Sequence, residues 1–240
     1  MAQAVARQAN HNKFLMTSNL IPQTIVNLII TPLTNQNNLA MFKKYYCLSF
    51  LVLSLSLLVS QSGFAQLAML SKGDAAPAFN AKASLAGKEF DFSLKNALAK
   101  GPVVVYFYPS AYTGGCDAEA HAFAELKDKF TAAGATIIGV SADDIQRLNA
   151  FSSDPQYCAG KFPVASDPGG EIAAKYGLTI SAGKSGIKDV RGQDLIHGFI
   201  PRTTYVIDKG GKIVAVFSSN TDHISPTDHV EKSLAIVKGL

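Results

Sequence analysis

Val103-Val104-Val105-Tyr106-Phe107-Tyr108-Pro109-Ser110-Ala111-Tyr112-Thr113-Gly114-Gly115-Cys116-Asp117-Ala118-Glu119 is the stretch that decides the fold. Residues 103–108 are apolar without a break, as in a parallel strand buried on both faces. Proline and glycine then interrupt the chain, and a helical pattern begins at about Cys116. A lone cysteine thus stands where a strand ends and a helix begins. Free backbone N–H groups and the helix dipole favour an anion there, and a thiolate is an anion.

Downstream, Cys116, Phe123 and Phe130 recur every seven residues with Leu126 between them. That spacing predicts a helix over 116–133, with the cysteine on its inward stripe. Gly134 stops the helix, and 135–140 (Ala-Thr-Ile-Ile-Gly-Val) is a second buried strand. Strand, helix and strand of these lengths make a right-handed crossover between parallel strands. Ser141-Ala142-Asp143-Asp144 caps a helix carrying Ile145, Leu148 and Phe151. Cys158 follows Ser152-Ser153-Asp154-Pro155, in a loop or at a frayed helix end. Residues 162–167 are expected as a short strand and turn, and 169–176 as a short helix closed by Gly177. Residues 179–200 have no clear period; with Gly177 the stretch holds five glycines. A long loop, forming a wall of the site, is expected there.

Upstream, 79–85 suggests a short edge strand, and Lys88-Glu89-Phe90-Asp91-Phe92 alternates as a strand exposed on one side. Ser93 caps a short helix over 94–99, ended by Gly101-Pro102. Towards the C-terminus, 202–208 and 212–218 flank Lys209-Gly210-Gly211 as an antiparallel hairpin. Residues 220–228 are polar and loop-like. A last helix over 229–237 turns Val230, Leu234 and Val237 inward. The expected fold is α/β and thioredoxin-like: a central mixed sheet flanked by helices, in one domain over 66–240.

The chain has 240 residues and a formal charge of +4. No acid occurs before Asp74, while Arg7, Lys13, Lys43 and Lys44 precede it. Without those four of the 22 basic residues, 18 remain against 18 acids, so nothing points to nucleic acid. From Met41 the sequence has the form of a signal peptide over 41–65. Lys43 and Lys44 supply the basic start, 47–60 the apolar core, and Gly63-Phe64-Ala65 the small residues before cleavage at Gln66. The apolar run of 14 residues is short of the ~20 that a spanning helix needs, and an uncleaved leader would be the only membrane contact. The domain is therefore expected to be exported, into a periplasm in a Gram-negative source. Residues 1–40 read as an upstream extension without structure.

Pro109, Thr113 and Cys116 stand as P-x-x-x-T-x-x-C, and Glu119 extends this to C-x-x-E. The pattern resembles the peroxiredoxin signature, closest to the peroxiredoxin Q / bacterioferritin comigratory protein branch. The likeness covers about 70–238, including G-D-x-A-P-x-F, Y-F-Y-P, F-P-V-A-S-D and R-T-T-Y-V-I-D. It implies a peroxidatic Cys116 that is oxidised by a hydroperoxide to a sulfenic acid. Arg202 would stabilise the thiolate and the peroxide oxygens, and Thr113 would align the peroxide. Pro109 would shield the pocket, and Glu119 would orient Arg202. A thiolate site of this kind has its thiol pKa lowered to ~3.5–7.5. Because Thr113 stands where a C-x-x-C reductase has its first cysteine, the dithiol cycle of such reductases is not expected.

Many members of that branch carry a resolving cysteine five residues after the first, and His121 occupies that position here. The resemblance therefore matches Cys158 to the resolving role, followed by reduction from a thioredoxin-like partner. Alternatives are a one-cysteine peroxidase reduced by an external thiol, a permanent 116–158 bridge, a thiol–disulfide exchanger, and a redox-sensing thioredoxin-fold module. His121, His197, His223 and His229 form no ligand set, and no phosphate-binding glycine loop occurs, so neither metal nor cofactor is expected. The expected state is a monomer or weak dimer.

Overall fold

The structure is a computed structural model describing residues 68–183 and 185–240. The expected extension over 1–40, the leader over 41–65 and its cleavage point lie outside these residues. Among the described residues, no helix is long and apolar enough to cross a membrane.

Among the described residues, seven strands form one mixed sheet: β1 (Asn80–Leu85), β2 (Lys88–Ser93), β3 (Val103–Phe107), β4 (Thr136–Ser141), β5 (Val164–Ser166), β6 (Thr203–Ile207) and β7 (Ile213–Ser218). Their order is β2-β1-β5-β4-β3-β6-β7. The β3, β4 and β5 strands run parallel, while β6 joins β3 antiparallel and continues into the β6–β7 hairpin. Contrary to the edge strand expected over 79–85, β1 is an interior strand. It pairs β2 on one side and β5 on the other, and the half-exposed β2 forms the edge. That pairing is long-range, and nothing local in 79–85 encodes it.

The helices are α1 (Leu94–Leu98), α2 (Gly114–Ala132), α3 (Ile145–Ser153), α4 (Glu171–Lys175), α5 (Ser219–Asp222) and α6 (Pro226–Val237). Alternation along β3 divides the core. Val104, Tyr106 and Tyr108 pack with Cys116, Phe123 and Phe130 on one face. Val103, Val105 and Phe107 pack with Tyr176 and Tyr205 on the other. Tyr106 stacks on Phe123 with centroids 4.6 Å apart. Its ring lies over Gly139, where a Cβ would come within 2.6 Å of Tyr106 Cζ, so β4 needs glycine there.

Several boundaries differ from the sequence expectation: α4 and β5 are shorter than 169–176 and 162–167, α5 overlaps the stretch expected to be loop, and α2 and α6 start early. The α2 helix starts at Gly114, two residues early, because Thr113 is its N-cap and the Cys116 amide already donates to the Thr113 carbonyl at 2.8 Å. The α6 helix starts at Pro226. Ser225 and Asp228 form a reciprocal capping box with proline at the first turn, a local signal within a stretch expected to be loop.

Candidate active site

Cys116 lies in the first turn of α2, directly beyond the end of β3, with 2% of its surface exposed. Arg202 immediately precedes β6, the antiparallel neighbour of β3, and this pairing carries its side chain to the sulfur. Arg202 Nη2 donates to Cys116 Sγ at 3.1 Å, and Nη1 donates to Glu119 Oε2. One guanidinium thus bridges thiol and carboxylate, a geometry that suits its planar fork. Gly115 gives it room, since a Cβ there would sit 3.3 Å from Nη2.

Cys116, Arg202 and Glu119 converge. Thr113 Oγ1 donates to the Ser110 carbonyl at 2.8 Å, closing the loop before α2. Pro109 is half-buried just past β3. Cys158 does not join the bridge. It is fully buried in a turn after α3, and both cysteines are free thiols.

The charge balance at Cys116 departs from the lowered thiol pKa that the sequence suggests. Burial pushes the thiol up. Arg202, the Ser110 backbone and the Thr113 hydroxyl draw it down without overcoming burial, and Glu119 adds to the upward push. The reason is the depth of the sulfur, a tertiary property that the motif does not carry. Burial also pushes Glu119 up to about 7 against the pull of Arg202. Cys158 is pushed well up by burial and then by Asp117 and Asp154.

Sequence reasoning passed over His229. It is fully buried on α6, with Nδ1 2.9 Å from Thr204 Oγ1 and Nε2 2.9 Å from Ser219 Oγ. Its Nδ1 stands 4.0 Å from Glu119 Oε1. Burial and the Arg202 charge lower its pKa to about 4. A neutral imidazole therefore backs the carboxylate at neutral pH.

The loop carrying Ser110 and Ala111 is held by buried Asp143. Its Oδ1 accepts from Ser110 Oγ at 2.7 Å and lies 2.8 Å from His197 Nε2; its Oδ2 accepts from Ala111 N and Ser141 Oγ. Arg147 on α3 pairs with Asp143 at 3.0 Å and with Asp189 at 2.8 Å. Val190 N donates to the Tyr112 carbonyl, and Arg191 lies over the Tyr112 ring, 3.2 Å from its centroid. The long loop after α4 is thereby fastened to the segment leading into Cys116. Among the described residues, no group of three or more His, Cys, Asp or Glu is placed to hold a metal ion.

A thioredoxin-like sheet with a single cysteine at a helix start, facing an arginine, defines a thiol-based redox enzyme. Residues 72–216 match the AhpC/TSA family, and the chain belongs to it, on the peroxiredoxin Q / bacterioferritin comigratory protein branch. It is a peroxiredoxin, an oxidoreductase acting on peroxides. The chain is 32% identical over 174 residues to a chloroplastic peroxiredoxin Q of Populus jackii, covering 72% of this chain and 70% of that one. It is 30% identical to a chloroplastic peroxiredoxin Q of Gentiana triflora, covering 88% and 86%. The solved structure of peroxidoxin BcpB from Mycobacterium tuberculosis superposes with a TM-score of 0.57 at 29% identity, covering 71% of this chain and 98% of that one.

Proposed function

We propose that the chain is an exported thiol peroxidase that reduces hydrogen peroxide and organic hydroperoxides through Cys116, is resolved by Cys158, and is re-reduced by a thioredoxin-like dithiol. The observation that carries the peroxidatic role is the 3.1 Å contact of Arg202 Nη2 with Cys116 Sγ. The Cys116 sulfur attacks the terminal peroxide oxygen. An S–O bond forms, the O–O bond breaks, and the departing oxygen takes the thiol proton to leave as water or alcohol. Sulfur is oxidised by two electrons and the peroxide reduced by two. Arg202 supports the charge on sulfur and then on the separating oxygens. It cannot lose its proton, so this support persists across the pH range.

The resolving role of Cys158 is supported by position. His121, where many relatives of this branch carry their resolving cysteine, has Nδ1 3.0 Å from the carbonyl of Gln156, two residues before Cys158. The Cys158 segment therefore leans on the same part of α2. Cys158 is buried, and local opening of its turn would let it reach Cys116 to form the disulfide. That burial also supports a second reading, in which an external thiol reduces Cys116 directly.

Mass analysis after peroxide treatment distinguishes the two. A 116–158 disulfide is expected in the wild type, and overoxidised Cys116 in Cys158→Ser. A wild type that stops at sulfenic acid would favour the one-cysteine route. Export rests on the leader sequence, and a mature N-terminus at Gln66 is the expected result of N-terminal sequencing.

A further inference from the structure

Asp117 carries a carboxylate for which the peroxide step has no use. It follows Cys116 on α2 and is 8% exposed, and its Oδ1 is buried without a hydrogen-bond partner. Leaving such an atom unpartnered costs about 1–3 kcal/mol. The face it occupies is marked by His121, one helical turn on, which meets the Gln156 carbonyl at 3.0 Å. Tyr157 lies between that contact and Cys158, its ring packed on Tyr112 and Phe151 at 5.4 and 5.3 Å. After burial, Asp117 is the first neighbour raising both the Tyr157 phenol and the Cys158 thiol. Asp117 and His121, four residues apart on α2, thus share the side of the helix that meets the segment carrying the second cysteine.

We propose that Asp117 is the base that takes the proton of Cys158 when this thiol attacks the Cys116 sulfenic acid, a role that rests on reading Cys158 as the resolving residue. The Cys158 S–H bond breaks and its proton passes to Asp117. The freed sulfur lone pair forms the S–S bond to Cys116 while the S–O bond breaks. The departing hydroxide takes the proton back from Asp117 and leaves as water. No outside oxidant is needed, because the two-electron oxidation is already stored on Cys116.

The environment explains why a base is required. A buried thiol beside two carboxylates stays protonated, and the thiol form is a poor nucleophile. Burial raises Asp117 to about 6, while the Thr113 and Tyr112 backbone and Arg147 on α3 draw it down and Asp154 pushes it up. It is therefore ionised at neutral pH and a stronger base than an exposed aspartate. Transfer of the proton also removes the like charge that opposes ionisation of Cys158.

The test mixes the reduced full chain with one equivalent of hydrogen peroxide and quenches at timed intervals from pH 5 to 8.5. Mass spectrometry counts trapped sulfenic acid and 116–158 disulfide in wild type, Asp117→Asn, Asp117→Glu and Asp154→Asn. In Asp117→Asn, sulfenic acid is expected to accumulate while disulfide formation slows about 100-fold at pH 7. The wild-type rise in rate, centred near pH 6, should give way to one that continues to the top of the range. Asp117→Glu, which keeps a carboxylate, should restore most of the rate, which separates proton transfer from loss of fold. Disulfide formation in Asp117→Asn at the wild-type rate and pH profile would overturn the role, as would an equal loss in Asp154→Asn. A wild type that forms no 116–158 disulfide refutes the Cys158 reading itself and removes this role with it.

Discussion

At Cys116, burial pushes the thiol pKa up while Arg202 pulls it down, and burial prevails in the closed state. On the proposed mechanism, reactivity then depends on how well the guanidinium meets the charge that develops as peroxide is attacked. Arg202→Lys tests this, because a compact ammonium cannot donate to the sulfur and to Glu119 in one planar fork. A loss of about 10²–10³ in peroxide rate is expected by stopped-flow, and retention of the wild-type rate would mean that charge alone suffices. At this scale the residues legible in the sequence are those inside the motif or beside a clear strand start: Cys116, Thr113, Pro109, Glu119 and Arg202. His229, Gly115 and Asp117 carry no local signal. Their significance comes from Arg202 for Gly115, from Thr204, Ser219 and Glu119 for His229, and across the α3 turn for Asp117.

The strand-to-helix turn at 108–116 was readable because apolar run, breakers and helical period follow one another without overlap. The long loop after α4 was readable only as a loop and a wall, because its order comes from tertiary polar contacts. Asp143 is the centre of that order. Burial alone would push its carboxyl up, but hydrogen bonds from His197, Ala111, Ser141 and Ser110 hold it below the usual value. Asp143→Ala would remove one of the two carboxylates that hold Arg147 and leave the Ala111 amide and two serine hydroxyls without that acceptor. A loss of about 3–5 kcal/mol in urea unfolding is expected, together with slower peroxide reduction. An unchanged midpoint would show that the loop before α2 keeps its shape unaided. The capping box at Ser225 makes the converse point, since S-P-T-D is a local signal, but it sits in a stretch whose polarity reads as loop.

Across the whole molecule, α2 and α6 pack over one face of the sheet and enclose Glu119 and His229 together. Unfolded histidine binds its proton below about pH 6.5. Folded His229 resists until about 4, so between these values the unfolded state holds more protons. Its contribution to stability is full above pH 6.5 and is lost as pH falls towards 4. Glu119, raised to about 7, acts in the opposite sense, losing stability as pH rises from 4.5 towards 7, and masks the histidine in a single pH series. The difference in unfolding free energy between wild type and His229→Gln should therefore widen as pH rises from 4 to 6.5 and level off above it; a constant difference would contradict a buried neutral imidazole. The order of the strands was less legible than their existence, since the place of β1 between β2 and β5 is decided by long-range pairing. The central claim for the molecule is peroxide reduction at Cys116 assisted by Arg202. Single-turnover mixing with hydrogen peroxide, followed by trapping of sulfenic acid, tests it most directly. The expected result is one oxygen added at Cys116, with a second-order rate constant within the ~10⁴–10⁸ M⁻¹s⁻¹ typical of enzymes, abolished in Cys116→Ser. Peroxide consumption that survives Cys116→Ser, or a wild-type thiol that reacts no faster than free cysteine, would contradict it.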